Sequence, residues 1–293
     1  MTAPPAPERA GDALCTLGES PLWSERDRAL WFVDLRARAL HRLDPASGAR
    51  VTFTFPELVA GVVLAPDGKL AVALASRVVL FDPANGESAT LVVPETADLG
   101  NRLNETKSDR QGRLWTSSMR DFGAATTGAV YRVDADRRAA RMLFPLTVPN
   151  GLAFSPDART MYVADTPDGR LRAYAFDAAS GELGAMRVLC EAGVLPGRPD
   201  GAAVDGDGGV WSARFGGGCV ARITPAGVVD RVVALPVSQV TSCAFGDGDL
   251  RTLYVTTARQ RLDAAALARE PLAGALFALR VSVGGLPEVA LAI

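Results

Sequence analysis

Four polar residues recur at one place in a repeated sequence pattern and could together bind a cation. They are Glu19, Asn104, Asn150 and Asp200, each at the start of a short run with strand character. Asn and Asp are depleted inside strands, so we expect these residues to do something other than stabilise a sheet. A bound cation would offset the repulsion and the desolvation of two neighbouring carboxylates. The alternative is that all four cap strands and hydrogen-bond to backbone at a channel mouth.

The repeated pattern predicts the elements that position those residues. Each repeat has a short strand, a turn rich in Asp, Gly and Pro, and a second strand rich in Trp, Tyr, Val or Ala, which is typical of a hairpin. The repeats begin at Glu19, Ala60, Asn104, Asn150, Asp200 and Ser242. Their spacing of about 41 to 50 residues is that of propeller blades. The sequence thus predicts an all-β fold, a six-bladed β-propeller with four-stranded antiparallel blades, whose repeat starts converge on one end of a central channel.

The chain is predicted to form a single domain over residues 13–293, preceded by a short flexible tail at residues 1–12. A strand near Ala13–Leu17 is expected to pair with the last blade, because closing the ring removes exposed sheet edges. The last blade is expected to continue through residues 275–285 to residues 287–293. Helical periodicity is weak everywhere except near Leu262–Arg269.

Composition excludes several classes of function. The 293 residues carry a formal net charge of −2, with no basic run that would bind nucleic acid or a membrane surface. No stretch is apolar enough to span a membrane, no signal peptide is evident, and the four scattered cysteines are typical of free thiols, so we predict a cytoplasmic protein. We expect a small-molecule substrate, no nucleic-acid or membrane partner, and a monomer or weak homodimer.

The histidine content limits the chemistry of any metal site. The chain has a single histidine, His41, in a segment predicted to be a surface strand running into a turn. A zinc or iron site built from several histidines is therefore excluded. The ligands must be carboxylate, amide, carbonyl or water oxygens, which suit Ca²⁺, Mg²⁺ or Mn²⁺ and also allow Zn²⁺ or Fe²⁺.

Four motifs together resemble one known family. They read LGESPLW, RLNETKSDRQGRLW, PNGLAFSPDARTMYVADT and PDGAAVDGDGGVW. Each alone is weak, because propellers share turn chemistry, but the set is similar to the SMP-30/gluconolactonase/regucalcin-like lactonases. The similarity runs from about Leu17 to Ile293, nearly the whole chain.

The resemblance implies a propeller that binds one divalent metal and hydrolyses a sugar lactone. It assigns the metal to Glu19, Asn150 and Asp200, which agrees with the positions picked out by the repeats. It also implies that Arg102 and Asn104 contact hydroxyl groups of the substrate.

The sequence departs from the family pattern at two places near these residues. The family commonly has Asn-Asp-Gly where this chain has Asn104-Glu105-Thr106. Some members carry a substrate-binding acid shortly after the methionine that matches Met119, whereas this chain has Arg120 and then Asp121. That acid is either missing or shifted to Asp121. An arginine at the mouth favours a substrate with a carboxylate, a phosphate or a differently substituted ring, although Arg120 could equally point into solvent.

The working hypothesis is hydrolysis of a small sugar or sugar-like lactone to its hydroxy acid, with the metal as Lewis acid and Asp200 orienting or activating water. One alternative is a propeller that serves as a binding platform, with a purely structural metal. Another is a promiscuous metal esterase or phosphotriesterase. Such a site would need a wider and more aromatic mouth, and the low aromatic content of 6% weighs mildly against it.

Overall fold

Short apolar runs separated by Asp- and Gly-rich turns fold into antiparallel hairpins throughout the chain. The computed structural model describes residues 6–96, 99–123 and 125–293. In chain order the strands are β1 Glu8–Leu14, β2 Gly18–Ser24, β3 Ala29–Asp34, β4 Ala39–Leu43, β5 Arg50–Thr54, β6 Val59–Leu64, β7 Leu70–Leu74, β8 Val78–Phe81, β9 Ser88–Val92, β10 Asn101–Ser108, β11 Leu114–Arg120, β12 Gly128–Val133, β13 Ala139–Leu146, β14 Pro149–Phe154, β15 Thr160–Asp165, β16 Leu171–Phe176, β17 Leu183–Cys190, β18 Arg198–Val204, β19 Val210–Phe215, β20 Cys219–Ile223, β21 Val229–Ala234, β22 Val240–Gly246, β23 Thr252–Thr257 and β24 Ala275–Arg280.

These strands form six four-stranded antiparallel sheets, which are the blades of a propeller. In five blades the strands follow one another in chain order, from β2-β3-β4-β5 to β18-β19-β20-β21. The first strand of each blade is innermost, since β2, β6, β10, β14, β18 and β22 pack against one another around a central channel. The predicted six-bladed, all-β fold is confirmed. We call the end of the channel where these inner strands begin the mouth.

The sixth blade closes the ring by combining both ends of the chain. Its order is β1-β24-β23-β22, so the first strand of the sequence forms the outer edge of the last blade. The predicted pairing of an N-terminal strand with the last blade is therefore confirmed, but its position is earlier. Strand β1 begins at Glu8, within the segment 1–12 that the sequence predicted to be a flexible tail.

Buried tryptophans pack between the blades and are tied to the turns. Trp31, Trp115 and Trp211 are at most 1% exposed. The indole nitrogen of Trp115 donates to Asp109 at 3.0 Å, and that of Trp211 donates to Asp205 at 2.8 Å. A buried indole N–H needs such an acceptor, so these Asp residues fix the hairpins to the apolar core.

The C-terminal segment covers the end of the channel opposite the mouth, instead of extending the last blade as predicted. The backbone N–H of Leu291 donates to Leu64 O and that of Ala292 to Gly112 O, both at 2.9 Å. Leu291 is 2% exposed and packs into the core beneath blades two and three. Residues 287–293 form no strand. Their backbone crosses from blade two to blade three and buries Leu291 between them, a placement that the strand pattern of the sequence does not reveal.

One short helix interrupts the last blade. Helix α1, Ala264–Arg269, lies in the segment predicted to have helical character, and Asp263 caps it by accepting from the N–H of Ala266 at 2.7 Å. Among the helices in the described part of the chain, none has the length and apolarity required to cross a membrane. The four cysteines are buried free thiols, as predicted.

The prediction that His41 lies at the surface is wrong. His41 is 6% exposed, its ring lies 4.9 Å from that of Phe32, and its Nδ1 is hydrogen-bonded to Thr52 Oγ1 at 2.9 Å. Burial, helped by the positive charge of Arg50, lowers the pKa of His41 to about 4. The blade therefore holds this imidazole in its neutral form.

We expect His41 to make the fold less stable as the pH falls from 7 to 5. The imidazole of the unfolded chain takes up a proton near its ordinary pKa of 6.5, whereas the folded one does so only near 4, so acid favours the unfolded state over that interval. Urea unfolding at both pH values should show the unfolding free energy of wild type falling by about 2 kcal/mol more than that of His41→Gln. Equal losses in the two proteins would show that the buried imidazole does not resist protonation.

Candidate functional site

All six inner strands break register near the mouth, close to the repeat starts. A bulge inserts one extra residue, twists the strand and re-aims the neighbouring side chain. The breaks lie between Glu19 and Leu22, Val59 and Gly61, Leu103 and Thr106, Asn150 and Ala153, Pro199 and Ala202, and Val240 and Ser242. In the sixth blade the extra residue is Thr241, one residue before the repeat start at Ser242. Asn104 and Asp200 lie within these breaks, and Glu19 and Asn150 are the last paired residues before theirs, all around one end of the channel.

The backbone beside these residues needs unusual conformations or close packing. Ser20 has φ 48° and Gly151 has φ 67°, both in the left-handed region that non-glycine residues avoid. Gly201 is required for a different reason, because a Cβ there would lie 2.2 Å from Ser242 Oγ of the next blade. Small residues after Asn150 and Asp200 therefore let the inner strands approach closely where the side chains meet.

Three carboxylates influence one another at this point. Burial raises the pKa of Glu19 well above its ordinary range, and the negative charges of Asp200 and Glu105 raise it further. Burial and the charge of Glu105 likewise raise the pKa of Asp200. Burial raises the pKa of Glu105 to about 7. Without a counter-charge the channel thus disfavours full ionisation of the three groups.

Glu105 links neighbouring blades, a role that sequence reasoning did not assign to it. Its Oε2 accepts a hydrogen bond from the backbone N–H of Leu152 at 2.9 Å. Ser20 Oγ makes the equivalent bond between the first two blades, to Val62 N at 3.1 Å. The longer glutamate also brings a charge towards the channel axis. Its second oxygen, Oε1, is buried and has no hydrogen-bond partner among the described residues.

A chain of hydrogen bonds fixes the orientation of Asn150. The Nδ2 group of Asn104 donates to Asn150 Oδ1 at 2.7 Å and to Pro149 O at 3.1 Å. The Nδ2 group of Asn150 donates to Thr166 Oγ1 at 2.8 Å, and that hydroxyl donates to Pro199 O at 2.8 Å. Each step has one donor and one acceptor, so the direction of the chain sets which atom of the Asn150 amide faces Asn104.

Arg102 begins this chain and is itself held by Asp121. Its Nη1 donates to Asn104 Oδ1 at 2.8 Å, and its Nε donates to Asp121 Oδ1 at 2.5 Å. Arg36 grips the same carboxylate through two nitrogens, at 2.8 and 2.9 Å. Burial alone would raise the pKa of Asp121, but the bonds and charges from Arg36 and Arg102 outweigh it and lower that pKa. The structure therefore brings Arg102, Asn104, Asn150 and Asp121 into one network.

Arg120 does not join that network. Its side chain is exposed and donates to Leu99 O at 2.8 Å, so it supports the rim of the mouth. On the other side of the mouth, the Nε2 group of Gln239 donates to Gln260 O at 3.1 Å, while Gln239 Oε1 is buried without a partner among the described residues.

The chemistry of the donor set fits a divalent cation. Within residues 6–96, 99–123 and 125–293, no group of three or more His, Cys, Asp or Glu side chains could hold a metal ion by itself. The predicted ligand set has only two carboxylates and needs the amide oxygen of Asn150 as well. Crowded carboxylates, all-oxygen donors and the orphaned Oε1 of Glu105 are what a hard cation would neutralise.

Comparison with known proteins shows which family the chain belongs to. The family model described as "SMP-30/Gluconolactonase/LRE-like region" matches residues 17–259, most of the chain. The chain belongs to the SMP-30/gluconolactonase family. The resemblance read from the four sequence motifs is thereby confirmed.

Several members of the SMP-30/gluconolactonase family are similar over nearly their whole length. A 6-deoxy-6-sulfogluconolactonase from Pseudomonas putida is 41% identical over 93% of this chain and 94% of its own. The pentonolactonase XacC from Haloferax volcanii is 35% identical over 96% of both chains. The solved structure of a calcium-binding regucalcin from Agrobacterium tumefaciens has a TM-score of 0.92 and 30% identity, covering 97% of this chain and 98% of that one.

Within this SMP-30/gluconolactonase propeller, sequence reasoning missed two residues that shape the mouth. Thr166 is the last residue of the motif PNGLAFSPDARTMYVADT. It directly follows β15, which ends at the mouth, and this position is the signal that could have found it. Arg36 also lies shortly after a strand, β3, but the other repeats have no equivalent residue. Its pairing with Asp121, 85 residues away, could therefore not be predicted from the sequence.

Proposed function

We propose that this protein opens a small sugar or sugar-like lactone to the corresponding hydroxy acid, with one divalent cation held by Glu19, Asn150 and Asp200. The observation that carries the proposal is the meeting of two mutually repelling carboxylates and an amide, oriented by Asn104 and Thr166, at one end of the channel. The lactonases among its relatives support the reaction class. Ca²⁺, Zn²⁺, Mn²⁺, Mg²⁺ and Fe²⁺ are all candidates for oxygen ligands, and the Agrobacterium regucalcin is described as calcium-binding.

Asp200 is the residue we assign to the attacking water. When bound, the cation would supply Lewis-acid polarisation of the lactone carbonyl. The Asp200 carboxylate accepts a proton from water as the water oxygen bonds to the carbonyl carbon. The bond from that carbon to the ring oxygen then breaks, and the ring oxygen takes up a proton from Asp200 or solvent. The products are a hydroxyl and a carboxylic acid, which ionises at neutral pH.

Arg102 and Asn104 hold the substrate in different ways. Both N–H groups of the Asn104 amide are already used, on Asn150 and on Pro149 O. Asn104 can therefore accept a hydroxyl through Oδ1 but has no free donor, and its larger contribution is to orient Asn150. Arg102 bonds Asp121, Leu103 O and Asn104 through Nε and Nη1, which leaves Nη2 for substrate oxygens. Holding the ring fixes the carbonyl relative to Asp200.

The test of the proposal is acid release from a panel of lactones. We expect turnover of at least one aldonolactone above the spontaneous rate, lost on chelation and restored by one of the five candidate ions. The panel should include gluconolactone, a pentonolactone and a 6-sulfonated gluconolactone. The last two correspond to the lactones after which the Haloferax and Pseudomonas relatives are named. Aryl esters and phosphotriesters in the same panel test the esterase alternative.

Two results would count against the proposal. Turnover of esters alone would favour the promiscuous esterase. Metal binding without hydrolysis of any lactone would favour the binding platform. A monomer or weak homodimer stays a prediction, to be checked by light scattering on the same samples.

A further inference from the structure

Two arginines and one aspartate meet at the mouth and leave an excess of positive charge. Asp121 Oδ1 and Oδ2 are bonded by Arg36, and Asp121 Oδ1 also accepts from Arg102. We call Arg36, Asp121 and Arg102 the arginine cluster. Its three groups carry two positive charges and one negative, so it has a formal charge of +1. The side chains of Arg36 and Asp121 are 19% and 21% exposed and that of Arg102 is 7%, so the cluster is largely screened from solvent.

Each guanidinium keeps hydrogen-bonding capacity. Arginine has five N–H donors. Arg36 uses three of them, two on Asp121 and one on Gln260 at 3.4 Å, and Arg102 also uses three. Two donors on each side chain therefore have no acceptor in the described ranges. The exposed ring of Phe122, 5.1 Å from Arg36 Cζ, stacks against that guanidinium and holds its plane.

The distribution of charge along the channel also favours a negative group near the arginine cluster. Glu105 follows Arg102 along β10, away from the mouth, and Glu19 and Asp200 lie close to it, so the carboxyl groups lie on the inner side of the cluster. A single side chain, Asn104, separates Arg102 from Asn150. A small lactone with its carbonyl at the carboxylates therefore has its far end near Arg102 and Arg36, where a negative group is attracted, whereas the reversed orientation is repelled.

We propose that the arginine cluster is a specificity site for a negatively charged, oxygen-bearing substituent, such as a sulfonate, phosphate or carboxylate, at the end of the lactone remote from its carbonyl. This inference rests on the proposed lactonase function. Arg36 is the specificity-determining residue, because it is not needed to orient Asn104. Asp121 sets the two guanidiniums at a fixed separation and lowers their combined charge.

The test compares one lactone pair in four proteins. The pair is gluconolactone and its 6-sulfonated form, which differ only in the substituent on C6, the end of the carbon chain opposite the carbonyl carbon C1. We expect wild type to have at least about a 10-fold higher kcat/KM for the charged lactone at low ionic strength. Arg36→Gln should lower kcat/KM for the charged lactone by about 10- to 100-fold, mainly through KM, and change the neutral one by less than about 3-fold. Arg36→Lys should recover part of the preference.

Arg38→Gln is the matched control, since it removes one positive charge from the same loop but from an exposed side chain outside the cluster. It should leave the preference intact. Equal turnover of both lactones by wild type, or equal loss on both in Arg36→Gln, would overturn the inference while leaving lactone hydrolysis established. Failure of wild type to open either lactone in any metal would instead count against the proposed function.

Discussion

Asp200→Asn should lower kcat for lactone opening by about 10³-fold at saturating metal, the middle of the range for losing a general base. The amide keeps the shape of the side chain but cannot accept a proton from water at neutral pH. Asp200 is 7% exposed, and the Gly201 backbone beside it packs against Ser242, so the amide should stay where the carboxylate was. Initial rates of acid release over a metal titration separate the loss of turnover from weaker metal binding.

The control for this variant is Asp207→Asn, on the same blade. Asp207 is exposed in the turn at the other end of the inner strand, so the same chemical change there should alter kcat by less than about 3-fold. A metal-replete Asp200→Asn enzyme with nearly normal kcat would remove Asp200 from the mechanism.

Glu19→Gln should weaken binding of the divalent ion by at least about 100-fold, since it removes one of only two carboxylates in the proposed ligand set. The same change removes a carboxyl group whose ionisation the metal-free fold resists, and at neutral pH that resistance lowers the stability of wild type. The metal-free variant should therefore melt at a higher temperature than metal-free wild type, while added metal should stabilise the variant far less than wild type. Calorimetric titration and thermal melting measure the two effects on the same preparation.

Glu25→Gln provides the comparison for Glu19→Gln. Glu25 lies in the exposed turn that follows β2, so its loss should change neither metal affinity nor the melting temperature by a measurable amount. If Glu19→Gln binds metal as tightly as wild type, Glu19 is not a ligand, whatever happens to its stability.

The fold could be predicted from sequence because its information is local and repeated. Each hairpin shows alternating apolar residues and a turn rich in Asp and Gly, and six copies average out the errors of any one. The same register predicted that Glu19, Asn150 and Asp200 lie at one end of the channel. The bulges that aim them were not predictable, because a register break depends on how neighbouring inner strands pack, as at Gly201.

The remaining features of the site depend on contacts between distant parts of the chain. Glu105 looked like a departure from the family motif, and its bond to Leu152 N is visible only once blades three and four are side by side. Asp121 could be named as a candidate, but its two arginine partners could not, because Arg36 lies in a loop outside the repeat. His41 was misplaced for a more local reason, since Thr52 and Phe32 on the neighbouring strands of its own blade enclose it.

Stoichiometric titration of acid release tests the central claim most directly. Chelated protein at a concentration well above the metal dissociation constant is titrated with the most activating ion, and the rate of lactone opening is followed after each addition. We predict no enzymatic rate at the start, a linear rise, and a break at one ion per chain that Glu19→Gln does not show. Full activity in the chelated protein, or a rise unchanged by Glu19→Gln, would contradict a catalytic cation at Glu19, Asn150 and Asp200.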